Sequence, residues 1–449
     1  MDTLHQDRWW RMLGHAGGPG GSAPPAGGRS SLSGNLAGVG TGAAGESAVI
    51  DRPSCRRALV AAISAVPFLL GPAAVAADFS EAAAETKPKF DIRYRFETVD
   101  QDGIEEKARA STAKARVSWV MDAVEGWSVG LEADHVFTLG ADDYHSLENG
   151  LTQFPVVADP TGTDLNQAFV RFRNGGTIVT AGRQRILHGE QRFVGGVAWR
   201  QNEQTFDALR IQTTGERVGL DYSYVAQVRR IFGPDDGIQP AEWDTNAHFL
   251  RGTYDAAEGH QLAAFAYLLD LENDNGPANS NATYGLNYVG TFGPATLSAR
   301  VALQREWGDN PLTYDAPYYF VEAKWPFDRV TVAVGHEVLG SDGGTAPVRM
   351  PVATLHKFQG WTDKFLTTPP AGVKDTYLTF SGNVGPVALT AAFHDFVAAK
   401  GDMDYGREAG VSAVWPMGPF GLQFKYANYR ARDLATDTSK AWFVVSYSF

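Results

Sequence analysis

KAWFVVSYSF, residues 440–449, decides the fold. Ala441, Phe443, Val445, Tyr447 and Phe449 form one face of a two-residue period, and Trp442, Val444, Ser446 and Ser448 form the other. Strict alternation marks a strand whose two faces meet different surroundings. One face is wholly apolar, and the chain stops on an aromatic ring. In lipid such a strand persists only within a closed barrel, because an open edge leaves backbone groups without partners. The stretch predicts an all-β fold, a transmembrane antiparallel up-and-down barrel. A half-buried edge strand of a soluble sandwich alternates in the same way, so the remainder of the chain has to discriminate.

The chain has 449 residues, enough for two or three soluble domains or one large barrel. Its 49 glycines and 12% aromatic content suit many strands joined by turns, with aromatic girdles at two water–lipid boundaries. The mean hydropathy of −0.22 does not oppose this, because a barrel hides its lipid face in every second residue. A net charge of −12 argues against a nucleic-acid partner. No apolar run reaches the length of a membrane-spanning helix. The single cysteine, Cys55, falls in a segment expected to be removed, so the mature chain needs no disulfide and has no thiol site.

Residues 1–54 read as a disordered low-complexity extension, as in GHAGGPGGSAPPAGGRSSLSG (14–34), which cannot bury enough apolar surface to offset its ordering entropy. Its literal GxGxxG, Gly40 to Gly45, has no strand before it and no helix after it, so a dinucleotide reading fails. Residues 55–77 have the layout of a secretory signal peptide: Arg56-Arg57, the apolar run Ala58–Leu70, and the small-x-small site Ala74-Val75-Ala76. Cleavage is expected near Ala76/Ala77. A leader that begins after fifty residues suggests a true start downstream of Met1. Residues 78–89 are then a short periplasmic lead-in, and 90–449 the outer-membrane barrel.

From Phe90 onward alternation predicts about eighteen strands: 90–100, 108–122, 127–140, 164–173, 176–187, 205–214, 217–232, 244–256, 260–273, 281–292, 295–308, 317–326, 329–340, 375–384, 386–398, 404–415, 420–432 and 440–449. Short connections rich in Gly, Pro, Asn and Asp include 122–126, 173–176, 214–216, 293–294, 326–328, 385–386 and 416–419. Longer stretches fall between them: 141–163, 188–204, 233–243, 309–316 and 341–374. This alternation of short and long matches tight periplasmic turns and longer extracellular loops, and a sandwich has no reason for it. An even strand count puts both ends in the periplasm. The faces agree. Ile92, Tyr94 and Phe96 oppose Asp91, Arg93, Arg95 and Glu97, while Leu297, Ala299, Val301 and Leu303 oppose Thr296, Ser298, Arg300, Gln304 and Glu306. Charges facing lipid at mid-depth cost about 2–4 kcal/mol each, so they are expected to face a watery lumen.

Several blocks resemble the alginate export family of bacterial outer-membrane barrels. They are Gly182-Arg183-Gln184 through Arg192-Phe193-Val194-Gly195, Trp199-Arg200-Gln201-Asn202 with Thr205-Phe206-Asp207-Ala208, HKFQGWTDKFLTTP (356–369), FHDF (393–396), DYGRE (404–408), and KYANYRA with TDTSKAWF (425–443). They run along nearly the whole mature chain. The resemblance implies an eighteen-stranded barrel and passage of anionic polysaccharide or related solutes through an arginine-rich pore; no cofactor is expected. The terminal Tyr447 and Phe449 resemble the signal read by the outer-membrane barrel-assembly machinery. Dedicated alginate exporters resemble barrels gated by a long late periplasmic loop. Here the late turn, Trp415 to Phe420, is short.

The residues expected to line the pore and favour anions are Arg93, Arg95, Arg171, Arg173, Arg183, Arg185, Arg192, Arg200, Arg210, Arg251, Arg300, Lys324 and Lys425. Asp91, Glu97, Asp207, Asp221, Glu306 and Glu322 are the expected structural counter-charges, and the same set can equally read as ion-paired bracing of the wall. Arg183 and Arg185 share a strand face that leads into 188–204, by count the third extracellular connection once 101–107 is included, and make the best selectivity candidates. That connection either folds inward as a constriction or lies on the surface. The aromatics Phe358, Trp361 and Phe365 need cover, so 341–374 is expected to pack into the barrel mouth. Enzyme signals are weak. His336-Glu337 lacks the second histidine of HExxH, there is no GxSxG, and no ligand spacing for a metal is present; residues such as Asp142, Asp143 and His145 are rim candidates for catalysis, though acidic loops are common on such surfaces. A TonB-dependent receptor would need a plug domain ahead of its barrel. The readings carried forward are a channel for an anionic, alginate-like polysaccharide, a diffusion porin for small anionic solutes, and an outer-membrane enzyme.

Overall fold

The computed structural model describes residues 73–121, 123–274 and 276–449. The low-complexity extension and most of the expected leader lie outside these residues. A helix, Ala73–Glu85, spans the expected cleavage point, and its end is tied to the barrel by the Trp119 indole donating to the Thr86 carbonyl at 3.2 Å.

The first nine strands are β1 (Lys89–Gln101), β2 (Ala108–Val120), β3 (Trp127–Asp143), β4 (Gly162–Asn174), β5 (Thr177–Gln184), β6 (Thr205–Thr214), β7 (Val218–Arg229), β8 (Glu242–Ala257) and β9 (His260–Leu271). The wall continues with β10 (Asn281–Phe292), β11 (Ala295–Glu306), β12 (Asp315–Phe327) and β13 (Val330–Leu339). Two two-residue strands, β14 (Ser341–Asp342) and β15 (Ala346–Pro347), pair within a loop. The wall resumes with β16 (Val373–Val384), β17 (Val387–Val397), β18 (Asp404–Met417), β19 (Phe420–Ala431) and β20 (Thr438–Ser448). Each wall strand pairs antiparallel with the next, β13 with β16, and β1 with β20, so the eighteen-stranded sheet closes on itself. Every expected strand has a counterpart, with ends shifted by a few residues.

The seam between β1 and β20 runs from Asp91↔Ser448 to Gln101↔Thr438. Phe90 and Phe449 then exchange backbone hydrogen bonds of 2.9 and 3.0 Å, and their rings stack at 5.4 Å. The period-2 pattern sends Phe443 and Phe449 outward at 43% and 61% exposure, while Trp442 and Val444 are buried inside. Ile92, Leu131, Leu250, Val301, Val321, Val334 and Phe424 face outward in the same way. Phe90, Phe292, Trp325, Phe327, Trp415, Phe420 and Phe449 are outward-facing aromatics at the short-turn rim, forming a girdle there.

Short and long connections alternate around the barrel. Three tight turns share one build: Gly293-Pro294, Gly385-Pro386 and Gly418-Pro419. Their glycines have φ of +58°, +57° and +61°, and proline fixes the next residue. A positive φ followed by a negative one is the type II′ pattern that matches strand twist. The short late turn is therefore a two-residue hairpin. At the opposite rim, the third connection (185–204) and the seventh (340–372) turn inward. Phe193, Val194, Val348, Met350, Val352 and Phe365 from these loops pack against Phe206, Phe249, Phe265, Tyr267 and Tyr318 of the wall. The inner face is thus apolar over part of its circumference, because the infolded loops need cover.

Deleting Phe449, or replacing Tyr447 and Phe449 with Asp, removes the last rung of the seam. The expected outcome is unfolded precursor with no heat-modifiable barrel on gels; normal heat-modifiable protein in the membrane would contradict it. Cysteines placed at Glu105 or Ile238, both exposed on long loops, are expected to react with an impermeant maleimide on intact cells. Cysteines at Gly293 or Gly385 should not, and the opposite pattern would invert the barrel.

Candidate functional site: infolded loops on a charged inner wall

Of the thirteen expected cations, ten stand on inward-facing wall positions and three, Arg185, Arg192 and Arg200, on the third loop, and the structure divides them by partner. Arg183 holds Asp207 through two bonds, Nε–Oδ1 at 2.7 Å and Nη2–Oδ2 at 2.9 Å, and also donates to the Leu165 carbonyl at 2.9 Å. Arg185 donates from Nε to Glu203 Oε2 at 2.6 Å and pairs with Glu132. Arg116 joins the same cluster through Asp134 and, at 2.9 Å, Glu203. Arg210 is bidentate on Asp221. Lys324 pairs with Glu322 at 2.9 Å, and Tyr377 donates to the other Glu322 oxygen at 2.8 Å. Asp91 takes Lys89 at 3.0 Å, and Glu306 accepts the Tyr314 amide at 2.9 Å.

A second group is buried at the loop–wall junction. Arg95 donates to Glu97 at 2.8 Å and to the Trp199 carbonyl at 2.6 Å, with its guanidinium 4.2 Å from the Trp199 ring. Arg200 reaches Glu97 at 3.0 Å, Asp159 at 3.6 Å and Asp363 at 3.9 Å. Burial alone would lower the Arg200 pKa, but these carboxylates override it and hold it above the ordinary guanidinium value. Arg192 bonds Glu337 at 2.6 Å and Gln359 at 2.7 Å, over the Phe358 ring. Arg93 spans to the third loop, donating to Gln201 at 3.0 Å and to the Ala198 carbonyl at 2.8 Å. Arg95, Arg192 and Arg200 are at most 1% exposed, so none offers an open face to a solute.

The third group has no described carboxylate within 4.0 Å. Arg171 lies over Phe169 and donates only to the Thr180 hydroxyl, at 3.3 Å. Arg173 is exposed at the short-turn rim. Arg300 donates to neutral Asn287 at 3.1 Å and to Tyr318 at 3.4 Å. Arg251, half-buried beside Gly189 of the third loop, makes neither a hydrogen bond nor an ion pair among the described residues.

Lys425 also lacks a carboxylate, for a different reason. Its ammonium sits 4.9, 4.1 and 5.4 Å from the rings of Trp199, Trp361 and Trp442, and Nζ donates to His356 Nε2 at 2.6 Å. Burial pushes His356 down to about 3, with Lys425 adding to the shift and Asp363 opposing it. The imidazole is therefore neutral. It accepts from Lys425 and donates from Nδ1 to Asp363, which Lys440 holds at 2.7 Å from the other side. Glu408 accepts the Thr362 amide at 3.0 Å, and the Tyr405 hydroxyl donates to the Gly372 carbonyl at 3.0 Å. The WRQN, HKFQGWTDKF, DYGRE, KYANYRA and TDTSKAWF blocks thus converge on one clamp that ties the third and seventh loops to β1, β18, β19 and β20. The two loops also bond each other directly, Gly195 N to Val352 O at 2.9 Å and Thr354 N to Gln191 O at 3.0 Å.

Sequence reasoning missed Glu132, Asp134, Asp159, Glu203, Glu337, Asp363 and Lys440. Alternation marks the wall members as inward, but nothing in their spacing names an opposite number. Of the rim candidates for catalysis, His145 is buried, with its backbone N–H on Pro155 and its carbonyl on Val157. Asp142 and Asp143 end β3. Among the described residues no group of three potential metal ligands occurs.

Breaking the clamp on one side leaves buried charge uncompensated. Arg200→Met should cost about 3–5 kcal/mol, read as a lower temperature for loss of heat-modifiable mobility. Arg200→Met with Glu97→Met should recover part of it; an unchanged single variant would contradict the assignment.

The architecture is shared with solved structures of Acinetobacter baumannii OccAB4 (12% identity, TM-score 0.64, 81% of this chain and 98% of that one), Pseudomonas aeruginosa OccK3 (13%, 0.64, 84% and 99%) and Pseudomonas aeruginosa OpdL (15%, 0.61, 82% and 99%). At such identities the likeness carries the fold alone. No curated protein matches the sequence. The alginate export profile matches residues 87–321, just over half of the chain, so the blocks after Val321 lie beyond the matched part. That match, made by strands of a closed eighteen-stranded wall, shows that this chain belongs to the alginate export family of outer-membrane β-barrels.

Proposed function

We propose that the protein is an outer-membrane channel for anionic solutes whose selectivity rests on Arg171, Arg173, Arg251 and Arg300. One observation carries the reading. Arg95, Arg183, Arg185 and Arg210 are held by carboxylates at hydrogen-bond distance and Arg93 is spent on the third loop, whereas these four have neither tie. A bidentate carboxylate already occupies the fork of Arg183 and of Arg210, so little of their field reaches a passing ion. Selectivity therefore moves from Arg183 and Arg185 to the unpaired set. A unit charge about 4 Å from a path in water contributes about 1 kcal/mol, which is a severalfold effect per arginine.

The polysaccharide reading and the small-solute reading share this charge pattern. The clamp favours small anionic solutes. The third and seventh loops are bonded to each other and to the wall, and a polymer strand would have to pass them without a release site at the two-residue turn Gly418-Pro419. The long-loop rim faces the exterior in this reading. The other partners are outer-membrane lipid around the wall and the assembly machinery at Tyr447 and Phe449, with the leader removed near Ala76/Ala77.

Arg251→Glu with Arg171→Glu is expected to move the reversal potential of a planar-bilayer channel several-fold towards cations. The shift should be larger in dilute salt, where screening reaches beyond about 10 Å. Arg183→Gln with Asp207→Asn, which removes a neutral pair, should leave it nearly unchanged. A wild-type channel that already prefers cations would overturn the reading. Blockade by oligouronates but not by short carboxylates would favour the polysaccharide form.

A further inference from the structure

At the long-loop rim a half-buried carboxylate, with one oxygen enclosed, stands between two loops with no base to neutralise it. The second long connection (144–161) and the fourth (230–241) pack together through Leu147, Ala158, Ile231 and Phe232, and Val197 of the infolded third loop completes the cluster. Ile238 N donates to the Leu147 carbonyl at 3.0 Å. Glu148 lies at the centre of this contact, and its Oε1 is buried without a hydrogen-bond partner among the described residues. The fourth loop passes over it on two glycines. A Cβ at Gly233 would stand 2.9 Å from Glu148 Oε1, and one at Gly237 would stand 2.6 Å from the Leu147 carbonyl and 2.9 Å from Glu148 Cγ. The approach is tight, and no side chain intervenes.

The charged groups of the surrounding elements are otherwise engaged. Asp235 of the fourth loop is the charge that acts on Glu148, and it has the same sign. Asp236 accepts the Ala241 amide at 2.9 Å. Arg230 stacks 4.4 Å from both Phe232 and Trp243 and donates to Gln239 and the Pro240 carbonyl. Within the second loop, burial pushes the His145 imidazole below its ordinary value, and Asp159 serves Arg95, Arg200 and the Gln201 amide. From the third loop, Arg200 faces Glu97 and Asp159, and Glu203 faces Arg116 and Arg185.

We propose that loop 230–241 forms a pH-operated lid, seated on loop 144–161 and Val197 of the third loop when Glu148 is protonated and released when Glu148 ionises against Asp235. Burial first, and the Asp235 charge second, push the Glu148 carboxyl up to about 7. A carboxyl raised in the seated state above its ordinary value of 4.5 binds its proton more tightly there. Seating is therefore fully favoured below that ordinary value. It weakens as pH rises between the two values and is lost above about 7. Release uncovers Ala158 and Val197, while loop 144–161 keeps its own hold on the third loop through Asp159, which faces Arg200 and accepts the Gln201 amide at 2.9 Å.

The test reads channel opening and loop access on the full-length barrel. In symmetric salt, so that ion preference plays no part, wild-type open probability should rise several-fold from pH 5 to pH 8. Glu148→Gln should hold the pH 5 level throughout, and Asp235→Asn should move the transition to lower pH. In parallel, a cysteine at buried Ala158 should be slow to label at pH 5 and fast at pH 8, relative to a cysteine at exposed Glu105, which corrects for thiol ionisation. Glu148→Gln should keep that site slow at both pH values. A flat wild-type profile in both measurements, or a Glu148→Gln channel with the full pH response, would overturn the proposal.

Discussion

A strand in hydrocarbon has no water to satisfy its backbone, and each unmatched group there costs several kcal/mol. The rest of this structure depends on meeting that demand without an edge. The sheet meets it at one place, where β1 accepts β20 over the full length of both strands and Phe90 exchanges bonds with Phe449. Once the wall is closed, every strand has one face in lipid and one inside, and the two-residue period assigns every side chain to a side. Apolar and aromatic groups outside, and charge inside, follow from that single closure.

The inside then has its own demand. Charge taken from water needs a partner, and in low dielectric a pair roughly repays its desolvation rather than adding stability. What buried pairs do supply is position. Arg95, Glu97, Asp159 and Arg200 form a network with members on β1, the second loop and the third loop, so it is complete only when those loops occupy one arrangement. The tryptophan cage around Lys425 acts similarly for the seventh loop without a carboxylate, through cation–π contacts that strengthen when water is excluded. The apolar cluster under both loops supplies the non-specific part of the attachment.

Much of the wall was legible in the sequence because its information is local. KAWFVVSYSF shows its two faces within ten residues, and Gly293-Pro294 or Gly385-Pro386 announces a hairpin within two. The inward direction of Arg183, Arg210 and Arg300 was legible for the same reason. Their partners were not. Arg183 meets Asp207 across two strands, and Arg192 meets Glu337 across 145 positions of chain. Periodicity gives a side but no register, so a free arginine and a braced one look alike. Arg251 and Arg185 differ only in whether a carboxylate stands opposite. The enclosure of one Glu148 oxygen was illegible because it depends on two loops meeting, and its own neighbours in sequence, Leu147 and Asn149, give no sign of it.

The blocks that carry the family resemblance after residue 321 mostly end in the clamp rather than on an open surface. What such a signature records is then how two loops are moored, which is a mechanical trait. In the function proposed above, transport preference sits elsewhere, on single inward positions such as Arg171 and Arg251 that belong to no block. Two barrels of this type can therefore share the mooring and differ in cargo by a handful of wall substitutions, each tolerated because it disturbs no neighbour. On that proposal, ancestry and cargo are written in separate parts of the same chain.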